Sequence, residues 1–428
     1  MTTIAVLGAG YVGLTAAACF SHLGHDVIVS DINQIRIKNL QDGLCPIVEK
    51  ELPELLETGL RNGKLQFVSD NSVAVSQADF TFLCLPTPQS SNGDVDTSFV
   101  QAAAKEISPF LKPGSVIVTK STVPVGSTKI IEEMLGRSDI AVVSNPEFLR
   151  EGTAVHDFLN PDRVVVGSSS ETAARSVAEL YSKLNCRILI TDPASAETIK
   201  YAANAFLATK ISYINAIAAV CECVNADILS VIEGIGSDKR IGPEFLNPGP
   251  GWGGSCFPKD TIALVKIAET AGYDFSLLRG VIAVNAEQLQ RVTEKILSRK
   301  PVGAHDFKVG VLGLTFKAGT DDLRDSASIT IIRNLQERGA LVSAFDPTVK
   351  AMDSINDLVD VRFAAASIDA LTDCDVMVIL TEWPEFALLE PSEVLKVMRS
   401  RSVVDARNIL DRDKWVEAGF DYQGIGRS

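Results

Sequence analysis

Cys256 is the residue of this chain whose surroundings most favour covalent chemistry. It stands in the motif GGSCFPKD (residues 253–260), between a glycine-rich loop and a predicted helix that would start at Pro258. The positive end of a helix dipole favours the thiolate, which is the nucleophilic form of a cysteine. A buried structural cysteine would fit the same place, so position alone leaves both interpretations open.

A glycine-rich turn near the N-terminus predicts a dinucleotide site. Gly8, Gly10 and Gly13 follow a strand-like apolar run and open a helix-like segment. In such a turn the first glycine makes the bend, the second lets a pyrophosphate approach and the third lets the helix pack on the strand. Asp31 ends the next predicted strand, where a carboxylate accepts from a ribose 2′-OH and repels a 2′-phosphate. The pattern therefore predicts NAD rather than NADP; the alternative is a tight strand–helix turn that binds no cofactor.

Hydroxyl and carboxylate side chains follow two further predicted strands, at the sheet edge where α/β proteins bind ligands. Thr122 lies in KSTVPVG (residues 120–126), and Glu147 and Glu151 lie in NPEFLREG (residues 145–152). If the second stretch is helical, the two glutamates share a face and can serve as general base and water holder. A helix-capping hydroxyl and a solvated acidic face would explain the same residues without catalysis.

Lys200 and Asn204 are four residues apart in an apolar stretch, which predicts that both lie on one buried face of a helix. A buried lysine beside an amide can donate hydrogen bonds to an oxyanion. The alternative is a lysine whose stem packs against apolar neighbours while its ammonium reaches water.

Several basic residues in loops are candidates for binding an anionic ligand. Arg240 stands in the loop GSDKRIG, Lys317 and Arg324 stand in FKAGTDDLR after a predicted strand, and Arg407 follows another strand. Cations at strand ends are candidate phosphate partners, although Arg240 fits a solvated loop equally well. Because the net charge of the chain is −14, an anionic ligand would need such local cations.

The elements that must position these residues predict an α/β fold in three parts. Strand-like and helix-like segments alternate over residues 1–193, which predicts an N-terminal Rossmann-type, doubly wound and mainly parallel sheet. Residues 194–299 are predicted to be a central helical domain, with one long helix over residues 194–232 and the cysteine loop. Residues 300–428 return to the alternation, which predicts a C-terminal Rossmann-like α/β domain.

Composition narrows the class of protein. The 428 residues are 46% hydrophobic and 22% charged, as in a folded globular chain, and the acidic balance argues against nucleic-acid or anionic-membrane partners. The eight cysteines are scattered and the four histidines do not cluster at zinc spacing, which predicts reduced thiols and no metal. No secretion signal or apolar run of membrane length is recognised, so a cytoplasmic protein is expected.

Taken in order, these motifs resemble the UDP-glucose/GDP-mannose dehydrogenase family nearly end to end. The resemblance rests on GAGYVG, KSTVPVG, NPEFLREG, KYAANAFLATKISYIN, GSDKRIG, GGSCFPKD, GLTFKAGTDDLRDS and VVDARN. GSDKRIG and AANAFLATKIS are more similar to the branch that oxidises UDP-glucose. One departure is Asn247, where some animal members carry a lysine that contacts substrate.

The resemblance implies a four-electron, NAD-dependent oxidation of UDP-glucose to UDP-glucuronate through a thiohemiacetal and a thioester on Cys256. It implies that Lys200 and Asn204 stabilise the oxyanion, and that Asp260 with Thr122 positions water. Glu147 would support thioester hydrolysis, and Glu151 would lie near the nicotinamide and the water. The implied cofactor contacts are Gly8, Gly10, Tyr11, Val12, Gly13, Asp31, Thr87, Thr122, Glu151 and Arg324. The implied substrate contacts are Glu147, Phe148, Leu149, Lys200, Asn204, Arg240, Gly253, Phe316, Lys317 and Arg407.

The resemblance also implies a homodimer formed through the long central helix, with Arg240 contacting substrate across the interface. The same chemistry on GDP-mannose or a UDP-N-acetylhexosamine is an alternative. A β-hydroxyacid dehydrogenase would need neither Cys256 nor a third domain. A nucleotide-sensing protein without catalysis would be expected to lack Cys256, Lys200 or Asp260, and all three are present.

Overall fold

The computed structural model describes residues 2–90, 93–349 and 358–427. Two compact units make up the chain, one from Met1–Ala203 with Ile262–Gly272 and the other from Asn204–Thr261 with Tyr273–Ser428. Each unit contains one parallel or nearly parallel sheet with helices packed on it, which confirms the predicted α/β class. The predicted boundaries at residues 193 and 299 stay a prediction.

An eight-stranded sheet forms the centre of the first unit. Its strands are β1 Thr3–Leu7, β2 Asp26–Ser30, β3 Leu65–Val68, β4 Phe80–Leu83, β5 Val116–Thr119, β6 Ala141–Ser144, β7 Arg163–Gly167 and β8 Arg187–Thr191. They stand in the order β3-β2-β1-β4-β5-β6-β7-β8, and only the β6–β7 pair is antiparallel. Successive residues Val6 and Leu7 enter different hydrophobic clusters because neighbouring strand side chains point to opposite faces. Both faces of the sheet are therefore covered, as its apolar runs require.

In the described part of the chain before Pro193, eight α-helices connect or follow these strands. They are α1 Tyr11–His22, α2 Gln34–Gln41, α3 Leu52–Arg61, α4 Asn71–Ser76, α5 Ser98–Ile107, α6 Ser127–Leu135, α7 Ala154–Leu159 and α8 Glu171–Glu179. The first confirms the helix predicted after the glycine turn, and it ends where Gly24 adopts a φ of 96°.

The central region is helical, but its long helix is shorter than predicted. The helices are α9 Pro193–Val224, α10 Ile228–Gly236, α11 Phe257–Thr270 and α12 Ser276–Leu297. Asn225 has a left-handed φ of 56°, and the Ala226 N–H closes the helix end on the Cys221 carbonyl at 3.0 Å. Asp227 then caps α10 by accepting from the Leu229 N–H. The expected single helix to residue 232 is therefore wrong, because an Asn–Asp pair stops one helix and starts the next.

Among the described residues, α9 is long and apolar enough by length and composition to cross a membrane. That corrects the expectation that no segment reaches this length. Core helices of globular proteins pass the same test, and the first turns of α9 carry buried Glu197 and Lys200, each bonded to other residues of the first unit. Charged side chains satisfied in this way are the mark of a helix packed in protein.

A six-stranded parallel sheet forms the centre of the second unit. Its strands are β9 Phe307–Leu312, β10 Ala340–Phe345, β11 Arg362–Phe363, β12 Val376–Ile379, β13 Ser402–Asp405 and β14 Asp421–Gly424, in the order β11-β10-β9-β12-β13-β14. The helices are α13 Ala327–Glu337, α14 Ser367–Leu371, α15 Pro384–Ala387, α16 Pro391–Val397 and α17 Arg412–Glu417. This strand order is the doubly wound order of nucleotide-binding sheets, which confirms the Rossmann-like prediction. The strands β3, β11 and β14 were not predicted from the sequence.

Candidate active site

The glycine turn of the first unit is shaped for a ligand at one of its three glycines. A Cβ at Gly8 would lie 2.4 Å from the Cys84 carbonyl oxygen, and a Cβ at Gly13 would lie 1.9 Å from the Gly8 carbonyl oxygen. A Cβ at Gly10 would meet no atom within 4 Å. Two glycines are thus required by packing, and the third leaves open the space that a pyrophosphate needs beside the N-terminus of α1. The turn fits a dinucleotide.

Asp31 directly follows β2 and is held against this turn. One carboxylate oxygen accepts from the Ala9 N–H at 2.8 Å and from the Arg36 guanidinium at 3.0 Å, and the other accepts from the Asn33 N–H at 2.8 Å. A fixed carboxylate in this place favours a ribose hydroxyl and opposes a phosphate, as the sequence predicts.

Glu49 ties the glycine turn to the loop that carries the predicted glutamates. Its buried carboxylate accepts from the Tyr11 hydroxyl, from the Gly152 N–H at 2.7 Å and from the Ala154 N–H at 2.9 Å. Tyr11 also accepts from the Gly152 N–H, at 2.8 Å. Sequence reasoning missed Glu49, because it lies in an irregular segment where no periodicity marks a buried carboxylate.

Glu147 and Lys200 form a buried ion pair in the first unit. The Lys200 Nζ donates to one Glu147 oxygen at 2.8 Å, and the Leu149 N–H donates to the other at 2.6 Å. Burial alone would raise the pKa of Glu147, but the Lys200 ammonium and the Leu149 N–H outweigh it and hold that pKa below its usual value. The predicted buried position of Lys200 is confirmed, at 3% exposure.

The segment 145–152 is not helical, so the condition under which Glu147 and Glu151 would share a helical face is not met. It follows β6 as an irregular loop that turns at Glu151 and leads into α7. The loop conformation lets Glu147 bond the N–H two residues ahead, which a helix would not allow. Phe148 lies under the Arg163 guanidinium at 3.6 Å from the ring centroid, and Glu151 and Leu149 are half-buried.

The hydroxyl residues predicted at strand ends lie in loops of the first unit. Thr87 follows β4 and Thr122 follows β5, and both are half-buried, as is Val12 in the first turn of α1. Glu197, on α9, accepts from the Gly126 N–H at 2.6 Å and from the Thr128 N–H at 2.9 Å. This contact fixes the end of the KSTVPVG loop. Glu197 could have been noticed as an acid three residues before Lys200 on the same apolar helix.

In the second unit, Cys256 occupies the N-cap position of α11, because the predicted helix begins at Phe257, one residue earlier than expected. Its carbonyl accepts from the Asp260 N–H at 2.9 Å, and its Sγ lies 3.6 Å from the Ser255 Oγ. A Cβ at Gly253 would lie 2.0 Å from the Asp325 carbonyl oxygen, and one at Gly254 would lie 2.8 Å from the Phe316 ring. The glycines before the thiol are therefore required for close packing on the loop after β9.

Asn204 and Asp260 are joined in the second unit. The Asn204 Nδ2 donates to one oxygen of the Asp260 carboxylate at 2.6 Å, and Lys259 pairs with the other oxygen at 2.7 Å. Asp260 is fully buried. A carboxylate is thus fixed one helical turn after the cysteine, with an amide from α9 bound to it.

Three of the residues predicted to bind nucleotide lie close together. The Arg407 guanidinium donates to the Phe316 carbonyl at 3.1 Å and to the Leu380 carbonyl at 2.8 Å, and it pairs with Glu382 at 3.1 Å. The Lys317 ammonium lies 5.5 Å from the Phe316 ring centroid. An aromatic ring with two cations at the carboxyl end of a parallel sheet is a suitable place for a nucleotide anion.

Arg240 and Arg324 are exposed and each pairs with an aspartate of its own loop. The Arg240 side chain is 88% exposed and pairs with Asp238 at 2.6 Å, and the Arg324 side chain is 65% exposed and pairs with Asp322 at 2.6 Å. Their predicted ligand contacts stay predictions.

No disulfide joins the eight cysteines. Over the described ranges, no group of three or more histidine, cysteine or carboxylate side chains converges in a way that could hold a metal.

Comparison with known proteins agrees with this geometry. The chain matches the three family models described as the NAD binding, central and UDP binding domains of the UDP-glucose/GDP-mannose dehydrogenase family, over residues 2–185, 194–287 and 310–412. It is 42% identical to the UDP-glucose 6-dehydrogenase TuaD of Bacillus subtilis (strain 168), over 100% of this chain and 94% of that protein.

Two solved structures are similar over nearly the whole chain. A UDP-glucose dehydrogenase from Pyrobaculum islandicum has 35% identity and a TM-score of 0.92 over 100% of this chain and 98% of that one. A UDP-D-ManNAc dehydrogenase from Pyrococcus horikoshii has 28% identity and a TM-score of 0.88 over 99% of each chain. The chain therefore belongs to the UDP-glucose/GDP-mannose dehydrogenase family and is a dehydrogenase that uses NAD.

Proposed function

We propose that this enzyme oxidises UDP-glucose to UDP-glucuronate in two successive steps, with Cys256 as the nucleophile. The observation that carries the proposal is the thiol at the N-cap of α11, one turn before the buried Asp260 carboxylate that binds Asn204. A one-step alcohol dehydrogenase has no use for this arrangement, whereas an enzyme that must retain an aldehyde does. The family, and the substrate named for its 42% identical relative, support UDP-glucose.

The reaction balances as follows. The sugar C6 alcohol loses a hydride and a proton to become an aldehyde, and the Cys256 sulfur then adds to the carbonyl carbon to give a thiohemiacetal. Loss of a second hydride and a proton gives a thioester, and water cleaves its C–S bond to release the carboxylate, the thiol and one proton. NAD accepts one hydride in each oxidation, so each sugar consumes two NAD and one water.

The proposal assigns oxyanion stabilisation to Lys200 and Asn204, which lie one turn apart on α9. Each donor is already oriented by a carboxylate, Lys200 by Glu147 and Asn204 by Asp260. Donors that are fixed before the reaction cost little reorganisation when charge develops on oxygen.

Water activation for thioester hydrolysis is assigned to Asp260, with Thr122 and Glu147 in support. Asp260 is ionisable, buried and only four residues from the thiol, so its carboxylate can accept a proton from water near the thioester. Glu151, in the turn before α7, is assigned to the nicotinamide side.

The UDP end is assigned to Phe316, Lys317 and Arg407. Arg407 is held by two carbonyls and Glu382, so its guanidinium has a fixed direction, and Lys317 adds a second positive charge. These cations supply the local positive field that the acidic chain otherwise lacks.

We also propose that two copies pair through α9 and work in the cytoplasm. Phe206, Tyr213, Val220 and Val224 are each more than half exposed and lie at spacings of seven, seven and four, which places them on one helix face. A second copy would cover this apolar stripe. Replacing Tyr213 by Glu should turn a dimer into monomers in light scattering; an unchanged mass would exclude this face.

The same chemistry on a UDP-N-acetylhexosamine or GDP-mannose is the second candidate, because the chain is also similar to a UDP-D-ManNAc dehydrogenase at a TM-score of 0.88. The test is a panel of UDP-glucose, UDP-N-acetylhexosamines and GDP-mannose, followed by NADH absorbance. UDP-glucose should give the highest kcat/KM, and a preference for another sugar would replace it.

The role of Cys256 is tested by Cys256→Ser, with Cys223→Ser on the exposed side of α9 as the matched control. Cys256→Ser should retain binding of NAD and UDP-glucose while acid formation falls by about 1,000-fold or more. Cys223→Ser should behave as the native enzyme. Undiminished acid formation by Cys256→Ser would overturn the assignment.

A further inference from the structure

Lys120 is a buried lysine to which the proposed reaction gives no role. It follows β5 directly and is only 4% exposed, in the same motif as Thr122. A methylene stem with a neutral end would fill this space at lower cost, because a buried ammonium loses its hydration.

The Lys120 ammonium is bound by two neutral, buried side chains. Its Nζ donates to the Asn145 Oδ1 at 3.1 Å and to the Tyr181 hydroxyl at 3.3 Å, and that hydroxyl donates to the Asn145 Oδ1 at 2.5 Å. Within the described residues 2–90, 93–349 and 358–427, the Lys120 ammonium makes no ion pair. The ammonium therefore carries a charge whose cost is not offset by an adjacent carboxylate.

Asn145 is the first residue of the loop that carries Glu147. Its Nδ2 donates to the Val165 carbonyl at 2.7 Å, and its N–H donates to the Thr119 carbonyl at 2.8 Å. With its Oδ1 taken by Lys120 and Tyr181, Asn145 is bonded to β5, to β7 and to the segment after α8. The start of the Glu147 loop is thus fixed by one network.

The charge of Lys120 acts on the same loop. Burial, the largest cause, and the Lys200 ammonium lower the pKa of Lys120 to about 8, against the opposing effect of the Glu147 carboxylate. Reciprocally, Lys120 is among the groups that hold the pKa of Glu147 below its usual value. Glu147 therefore lies in the field of two ammonium groups, only one of which it bonds.

We propose that Lys120 is a positioning residue for the Glu147–Lys200 pair: it anchors the Glu147 loop through Asn145, and its ammonium adds a second positive charge to the surroundings of that pair. This role rests on the proposed function, because it matters to catalysis only if Glu147 and Lys200 take part in it. A merely structural lysine would instead contribute to stability without any effect on the loop or on the charge of Glu147.

The anchoring is tested without turnover, by amide hydrogen exchange of residues 145–152 in the protein without ligands. Lys120→Met should fold and speed exchange in this loop by about tenfold, whereas Lys129→Met, at an exposed lysine of α6, should leave it unchanged. Tyr181→Phe, which removes one of the two partners and preserves volume, should give a smaller effect in the same loop. Unchanged exchange in both variants, or failure of both to fold, would overturn the proposal in favour of a structural role.

The charge is tested by the pH profile of turnover. In Lys120→Met, kcat should fall about ten- to a hundredfold with little change in the KM for NAD. The acid limb of the kcat profile should move to higher pH, because the Glu147 pKa loses one of the charges that lower it. Lys120→Gln retains a hydrogen-bond donor without the charge. It should therefore recover part of kcat, while the acid limb of its kcat profile should stay at the higher pH. An acid limb at its native position in both variants would contradict the proposal.

The two hypotheses fail in different ways. If the native enzyme forms no NADH with any nucleotide sugar of the panel, the proposed function is wrong, and the exchange experiment still decides whether Lys120 anchors the loop. If the native enzyme forms NADH and the Lys120 variants have the native exchange rates and pH profile, the proposed function is retained and the proposed role of Lys120 is wrong.

Discussion

The glycine turns after β1 and after β9 share the same pattern of hydrogen bonds, but they differ in the space that they leave for a ligand. In each, a glycine of positive φ, Gly8 at 100° or Gly313 at 97°, donates its N–H at 2.8 Å to the last residue of the neighbouring strand. The next N–H then donates at 2.8 Å to the aspartate that follows that strand, Asp31 or Asp346. Two residues (9–10) separate the first turn from its helix, and thirteen (314–326) separate the second from its helix.

The two aspartates show what the difference means. Asp346 is 2% exposed and also accepts from the Thr315 N–H, the Thr348 hydroxyl and the Trp383 indole, so its oxygens are occupied by protein. Asp31 is 9% exposed, and its turn has open space at Gly10. The same local structure thus leaves open space at Gly10 in the first unit and supports a loop in the second. The UDP contacts that we propose for the second unit are accordingly assigned to loop residues such as Phe316 and Lys317.

The largest effect is expected from substituting two glycines of the first turn, one that is required for packing and one that lies beside the space for a ligand. Gly13→Ala places a Cβ 1.9 Å from a backbone oxygen, so the free energy of unfolding should drop by about 3 kcal/mol or more. Gly10→Ala meets open space and should fold normally while NAD affinity falls about tenfold or more. Thermal melting and NAD titration measure the two quantities. Equal melting temperatures for both variants would show that the third glycine is not a packing requirement.

The paired aspartates should respond in opposite ways. Asp346→Asn turns an amide towards several N–H donors and should lower the free energy of unfolding of the second unit by on the order of 3 kcal/mol, with NAD affinity unchanged. Asp31→Asn should lower the free energy of unfolding less, but it should weaken the binding of NAD and reduce the preference for NAD over NADP. The fluorescence of Trp252, Trp383 and Trp415 reports only the second unit, which makes the stability comparison specific. Weaker NAD binding in Asp346→Asn alone would contradict the comparison.

Each turn also has its own support, and a smaller effect is expected from removing it. Glu49→Gln takes an anionic acceptor from the Gly152 and Ala154 N–H groups and should cost about 1–2 kcal/mol, with faster amide exchange over residues 150–156. Ser326→Ala removes the hydroxyl that donates to the Leu314 carbonyl at 2.6 Å and accepts from the Ser328 N–H, so it should loosen only residues 314–326 and the first turn of α13. Exchange that spreads to the other unit in either variant would show that the supports are not local.

The smallest effect is a pH dependence confined to the second sheet. Asp405 ends β13, and burial raises the pKa of its carboxyl despite hydrogen bonds from Leu410, Arg407 and Tyr422. In the first sheet, by contrast, β5 ends at Thr119, which does not titrate. Between the ordinary and the raised pKa, the folded state holds a proton that the unfolded state has released. Relative to Asp405→Asn, the native protein should therefore lose stability in the second unit as pH rises through this window, which tryptophan-monitored unfolding of the two proteins measures as the slope of their difference. A slope of the opposite sign would contradict the raised pKa.

The sequence was sufficient to predict what depends on local pattern. The glycine turn, Asp31, a helix beginning just after Cys256 and the buried face of Lys200 follow from spacing and capping rules that act within a few residues. The partners of these residues could not be predicted, because Glu147 meets Lys200 across 53 positions and Asn204 meets Asp260 across 56.

Errors also had local causes. Asn225 and Asp227 stop and restart a helix within an apolar run. The sequence left open whether the stretch at Glu147 is helical, because the hydrogen bond from the Leu149 N–H to the Glu147 carboxylate that stabilises this loop leaves no spacing pattern. Short edge strands such as β11 and β14 carry too few residues for a period to be recognised.

The most direct test of the central claim is the ratio of NADH formed to UDP-glucose consumed by the native enzyme. A limiting amount of UDP-glucose is converted to completion with excess NAD, NADH is measured by absorbance and the sugar product by chromatography. Oxidation through an aldehyde held on Cys256 predicts two NADH and one UDP-glucuronate per sugar, with no aldehyde released. One NADH per sugar, with the aldehyde as product, would contradict it.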